Sequence, residues 1–120
     1  MDEEREIKEL LEGGGEERSK IVSVEIKAAK EVYGDKAKEP ERSVAVITAE
    51  NGANLTMGVP KGMSYNDGAW SIESKLKAMR SIQNKLSNFG AFLRKYGHYP
   101  NVGIEVETGI DDSGFARIVI

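Results

Sequence analysis

The chain has 120 residues, enough for one domain with one core, and carries a net charge of −3 at pH 7. It contains no cysteine, which excludes disulfides, thiolate metal sites and cysteine nucleophiles. No apolar run approaches the roughly 18 residues of a membrane span, and the acidic N-terminus does not read as a signal peptide, so the sequence predicts a soluble, cytoplasmic protein. The charge is unevenly placed. Residues 1–17 hold eight acidic and two basic side chains, whereas residues 61–100 hold seven basic and two acidic ones. That asymmetry points to a polyanion partner and an acidic tail. High charge, no cysteine and a single glutamine lean towards a thermophile.

Residues 2–12, DEEREIKELLE, predict a short charged helix with Ile7, Leu10 and Leu11 on one side and acids crowding the first turn. Gly13, Gly14 and Gly15 break it. A helix this short is marginal alone and is either frayed or docked on a partner chain. Residues 1–17 are thus read as an acidic helix and glycine linker, and 18–120 as a single domain. Residues 20–33 fit both a strand and a helix. The β-branched Ile21, Val22, Val24 and Ile26 favour a strand to about Lys30. GDKAKEPER, residues 34–42, is a polar loop.

Residues 43–59 carry a hairpin signal, SVAVITAE and ANLTMGV flanking Asn51-Gly52 as a two-residue type I′ turn. Pairing Glu50 with Ala53 predicts a core face of Val44, Val46, Thr48, Leu55, Met57 and Val59. The opposite face, with Ala45, Ile47 and Ala49, is mostly small. Residues 60–69 are expected to be a loop leading into a helix, with Asn66 or Asp67 as its cap.

That helix is the strongest helical pattern in the chain, Trp70 to Tyr96. Ile72, Leu76, Met79, Ile82, Leu86, Phe89, Leu93 and Tyr96 recur at gaps of 4, 3, 3, 4, 3, 4 and 3, which keeps one helix face apolar. Trp70, Ser74, Lys77, Ser81, Asn84, Lys85, Asn88, Phe92 and Lys95 project away from that stripe. Gly90 is unexpected inside a helix and signals either close packing or a kink. Gly97 and Pro100 stop the helix. Residues 101–108 and 114–120 predict a second hairpin; pairing Thr108 with Gly114 puts Val102, Ile104, Val106, Ala116, Ile118 and Ile120 on one face. The expected fold is α+β: strand, hairpin, long helix, hairpin, an antiparallel sheet of about four or five strands packed on one long helix, with the short N-terminal helix added.

Catalytic constellations are not apparent. His98, the only histidine, reads as a helix-end surface residue. Glu105 and Glu107 read as exposed strand charges, Asp111-Asp112 does not fit an EF-hand, and GVPKG does not match a phosphate loop. No enzyme, cofactor or metal is expected. Single-stranded nucleic acid requires cations along a backbone track and aromatic faces for bases. The polar side of the helix supplies this mixture, giving Lys61, Tyr65, Trp70, Lys77, Arg80, Asn84, Lys85, Phe92 and Lys95 as candidate binding residues. Trp70 and Phe92 would lie ~33 Å apart on that side, each serving a different nucleotide or a different strand at a subunit junction. The rival class is an assembly or ribosome-associated protein whose basic helix touches structured RNA.

The run YNDGAWSIESKLKAMRSIQNKLSNF, Tyr65 to Phe89, resembles the ThermoDBP-type single-stranded DNA-binding proteins of hyperthermophilic archaea, a likeness spanning roughly Ser43 to Ile120. It implies a non-OB fold of antiparallel sheet and helices that grips single-stranded DNA, or RNA, in a basic and aromatic cleft with little sequence specificity. It also implies a homo-oligomer, a dimer or tetramer. Founding members carry a C-terminal zipper-like helix where this sequence ends on FARIVI. Pairing would therefore use the sheet, the long helix or the N-terminal helix.

Overall fold

In the computed structural model, Glu3 and residues 17–120 are described; the predicted N-terminal helix and its triglycine lie outside the described residues. The β-branched run at the start of the domain forms a 12-residue strand, β1 (Glu17–Ala28). It serves two neighbours. Its first four residues pair with β6 (Glu105–Ile110), and beyond a register shift between Ile21 and Ser23 the rest pairs with β2 (Ser43–Ala49). Such an irregularity bends a strand and sharpens its twist, which lets one strand turn the corner of a barrel. The chain then winds into α1 (Ala29–Tyr33) and a 3₁₀ turn (Gly34–Lys36), so the helical pattern at the end of this stretch is also realised.

β2 pairs with β3 (Asn54–Gly58), β3 runs parallel to β7 (Ala116–Ile118) at Asn54 and Arg117, and β7 pairs with β6. The five strands close into a barrel, β1-β2-β3-β7-β6. The β3–β7 seam is short, and Arg117 bolts it: its guanidinium donates to Asn54 Oδ1 at 2.7 Å and to Asp111 Oδ2 at 2.9 Å. A small hairpin, β4 (Met63–Asn66) and β5 (Ala69–Ile72), and two helices, α2 (Lys75–Gln83) and α3 (Asn88–Tyr96), lie between β3 and β6. With that insertion set aside, the barrel strands follow the order first, second, third, fifth, fourth, with third and fifth parallel. This is the connectivity of an OB-fold barrel.

The expected open sheet on one long helix is therefore corrected, and with it the non-OB fold that the resemblance implied. Trp70–Ile72 is a strand, paired with Met63–Tyr65 around Asp67-Gly68. Both turn residues have positive φ, 53° and 78°, as a type I′ hairpin requires. The helical remainder breaks again at 84–87. Asn84 turns extended and its Oδ1 accepts from Leu86 N, while the Ser87 hydroxyl accepts from Gly90 N and caps a new helix. Local side-chain hydrogen bonds thus outcompete the apolar period. Gly97, with φ of 72° and its N–H on Leu93 O, ends α3 as expected.

The first hairpin's register is also corrected. Its loop has three residues, Glu50–Gly52, with Gly52 N donating to Ala49 O and Ala49 N to Ala53 O. One extra loop residue shifts the pairing to Ala45↔Met57 and Ile47↔Leu55. A one-residue slip exchanges the faces of a strand, so Ala45, Ile47 and Ala49 face the interior, and Val46 and Thr48 are only half buried. In the second hairpin Thr108 pairs with Ile118, not Gly114. That four-residue change keeps the faces: Val106 and Ile118 are buried, but Val102 and Ile120 are exposed.

The core combines the barrel interior with Phe89 and Phe92 from α3, Met63 and Trp70 from the β4–β5 hairpin, and Ala78 from α2. Its small interior residues, Ala45, Ala49 and Ala53, leave volume for those aromatics. Trp70 meets Phe89 edge-on at 4.9 Å between centroids, and its indole N–H donates to Pro100 O at 3.2 Å. A buried indole that finds an acceptor avoids the desolvation cost of its one polar atom.

Candidate nucleic-acid interface

One groove of about 1330 Å³ opens between the β1–β2 connection and α2. Val44, Thr56, Met57 and Gly58 of β2 and β3 line it between those walls. The first wall supplies Lys36, Lys38 and Arg42, and the second supplies Lys61, Lys77 and Arg80. Glu39 is the one carboxylate among the lining residues. Arg42 lies 3.6 Å from Glu39. The other five cations form no ion pair among the described residues. A concave surface lined by unpaired charge of one sign concentrates its field and attracts counterions of the opposite sign.

The walls are positioned by backbone bonds. The β1–β2 connection is closed at its base by Ala29 N donating to Arg42 O at 2.7 Å and Lys30 N to Pro40 O at 3.0 Å. Gly58 allows the Arg42 guanidinium to lie against β3, since a Cβ there would come within 3.0 Å of it. Across the groove, Gly62 O accepts from Glu73 N and Ser74 N at the start of α2, and Lys61 N donates to Ser81 Oγ at 3.0 Å. Gly62 has φ of 83°, and a Cβ on it would meet Ser74 O at 2.6 Å. The loop carrying Lys61 is therefore fixed to the helix carrying Lys77 and Arg80. Such anchoring lowers the entropy lost when these side chains engage a ligand. Between the cations stand Thr56, Ser81, Asn84, Ser87 and Asn88, with Tyr33, about half exposed, offering the aromatic face.

The groove gathers four of the candidate residues read from the sequence: Lys61, Lys77, Arg80 and Asn84. The other five lie elsewhere. Phe92 is 0% exposed and Trp70 8% exposed, so both belong to the core and neither presents a face to a base. Tyr65 is half buried against the Trp70 ring at 5.1 Å. Lys85 is exposed in the turn between α2 and α3, outside the groove lining. Lys95 reaches Glu107 at 3.2 Å and lies 5.7 Å from the Tyr96 ring. Sequence reasoning missed Lys36, Lys38, Arg42 and Tyr33. In GDKAKEPER three acids are interspersed with three cations, so no net charge marked the stretch. Folding separates part of this charge: Glu41 is drawn off by Lys30 at 2.9 Å, Glu39 stays beside Arg42, and Lys36 and Lys38 line the groove with no ion pair among the described residues.

Asp111 has a displaced titration. The hydrogen bond from Arg117 holds its carboxyl below the usual carboxylate range, helped by the Phe115 N–H. It lies in the β6–β7 turn and does not line the groove. Among the described residues no three His, Asp or Glu side chains converge as a metal site, and no helix is long and apolar enough to cross a membrane. Comparison with protein-family models, with curated proteins and with solved structures finds no match to the chain.

Proposed function

We propose that the chain binds single-stranded nucleic acid, DNA or RNA, along this groove with little sequence preference. The observation that carries the reading is the concentration of six cations, five of them without an ion pair among the described residues, on one concave surface of a chain whose net charge is −3. Phosphates tracking the groove would meet Lys36, Lys38 and Arg42 on one side and Lys61, Lys77 and Arg80 on the other. Tyr33 gives one base a stacking surface, worth roughly 1–3 kcal/mol, and hydroxyl and amide side chains bond sugars and bases without a fixed code. OB-type barrels bind oligonucleotides on the face of strands two and three, beside the loop joining strands one and two. That agreement is analogy of fold and adds only to the prior. The non-OB fold implied by the ThermoDBP-type resemblance does not hold, so the reading rests on the groove alone.

The test is binding of labelled oligo(dT), oligo(U) and a DNA duplex at several salt concentrations. Each phosphate contact contributes a slope of roughly −0.7 in log K against log salt for single strands. Engagement of about three to six phosphates predicts a slope between roughly −2 and −4. Affinity indifferent to salt, or a preference for duplex, overturns the reading.

A further inference from the structure

Among the described residues only two aromatic side chains are exposed, Tyr33 in the groove and Phe115 outside it. Phe115 immediately precedes β7 and is 63% exposed. Its ring is held from one side: the Arg117 guanidinium lies over it, 5.9 Å from the centroid. Arg117 is itself fixed by Asp111 and, across the β3–β7 seam, by Asn54. One face of the ring is therefore set in place while the other is open to solvent. A ring positioned in this way loses little conformational freedom when a ligand stacks on it.

The ring stands where the groove floor continues along the barrel. Met57 is buried and Leu55 packs on the core, so the alternate residues of β3, Asn54, Thr56 and Gly58, face outward. Thr56 and Gly58 line the groove. Asn54 lies two residues, or ~7 Å, further along the same face. There it accepts from Arg117, which, like Phe115, alternates with the inward-facing Ala116 and Ile118. β3 and β7 run parallel, so the step from Arg117 back to Phe115 adds another ~7 Å in the same direction. Phe115 thus lies ~14 Å along the strands from Thr56 and one strand over. At the ~3.4 Å rise of a stacked strand that distance is about four nucleotides, and fewer when the strand is stretched. We infer that a single strand leaving the groove continues over the outer face of β3, crosses the seam, and stacks a base on Phe115. This inference rests on the proposed function and extends its site to a second aromatic.

The test uses the full chain and two lengths of oligo(dT): about twelve nucleotides, enough for groove and ring, and about four, which the groove cations hold. Phe115→Ala should weaken the longer strand by about fivefold or more, the least that losing one stacked base predicts, and the shorter by less than about twofold. Phe115→Leu, which also removes the ring, replaces it if that variant does not fold. Ile110→Ala is the control. Ile110 is 68% exposed on the same hairpin, but its pairing with Ala116 places it on the face opposite Arg117. Its variant should bind both strands within about twofold of the parent. Phe115→Trp should keep the parent's affinity, and its exposed indole should be quenched by the longer strand and not by the shorter. That quenching decides the matter if the shorter strand binds too weakly to measure. A loss below about fivefold on the longer strand, equal losses on both strands, an equal loss in Ile110→Ala, or unquenched emission from Phe115→Trp each overturn the inference and leave the groove standing. A parent that binds neither strand overturns the groove's function and this inference with it.

Discussion

Gly90 of α3 lies directly against the carbonyl oxygen of Ile82 in α2: a Cβ built on Gly90 would come within 2.2 Å of that oxygen. The two helices therefore meet backbone to backbone, and the contact fixes α2, which carries Lys77 and Arg80, relative to the core aromatics Phe89 and Phe92. Alanine would favour an isolated helix by ~1 kcal/mol. Here the clash with backbone decides the sign. Gly90→Ala should lose about 3 kcal/mol, near the upper end of overpacking costs. Urea unfolding followed by the fluorescence of Trp70, the sole tryptophan, measures it.

Trp70→Ala and Phe92→Ala should each cost about 3–5 kcal/mol, as truncation of a large buried aromatic does. Because neither side chain reaches the groove, the folded fraction of each variant should bind oligo(dT) as the parent does. A variant of normal stability and lost affinity would place that aromatic at the interface instead.

This contrast shows where the sequence was legible. Alternating β-branched residues announced β1, and Gly97 announced the end of α3. The type and rough extent of most strands followed from period and turn residues. Connectivity into a barrel did not, because closure depends on the β1 irregularity near Ile21 and on one short parallel seam, neither of which leaves a periodic trace. The helix from Trp70 to Tyr96 failed for a different reason. Three short elements happened to share one apolar spacing, while the decisive signals were local: Asp67-Gly68, Asn84 and Ser87. The groove was half visible. Lys61, Lys77 and Arg80 lay in a basic stretch, but Lys36, Lys38 and Arg42 lay in a sequence whose charges cancel and are separated only by folding.

Asp111 gives the seam a pH dependence. Its carboxyl accepts from Arg117, which also holds Asn54, and its folded pKa lies below the ordinary value. An ordinary aspartate titrates near ~3.9. A carboxyl lowered in the folded state contributes stability that is fully present above that value and is lost as pH falls through the folded pKa. Asp111→Asn should therefore be less stable than the parent near neutrality, with the difference narrowing as pH drops below about 4. Urea midpoints of both proteins across that range provide the check; a difference independent of pH would assign the effect to turn geometry.

Charge reversal separates the groove from a merely basic helix. Lys36→Glu and Lys38→Glu alter the wall formed by the β1–β2 connection, and Lys77→Glu and Arg80→Glu the wall formed by α2. All four side chains are exposed and unpaired among the described residues, so these variants should fold with little change in stability. Each should weaken binding to every single-stranded sequence alike and reduce the salt slope by roughly 0.7, the share of one phosphate. Lys85→Glu changes the charge by the same amount on the same stretch of chain but outside the groove lining. Its neighbours Asn84 and Leu86 line the groove, so solvent and salt weaken its influence there without removing it. At about 0.1 M salt Lys85→Glu should therefore lose less oligo(dT) affinity than any of the four groove variants, because it removes no direct phosphate contact. Equal losses at Lys36, Lys77 and Lys85 would mean that binding follows overall charge, and the groove would lose its claim as the site.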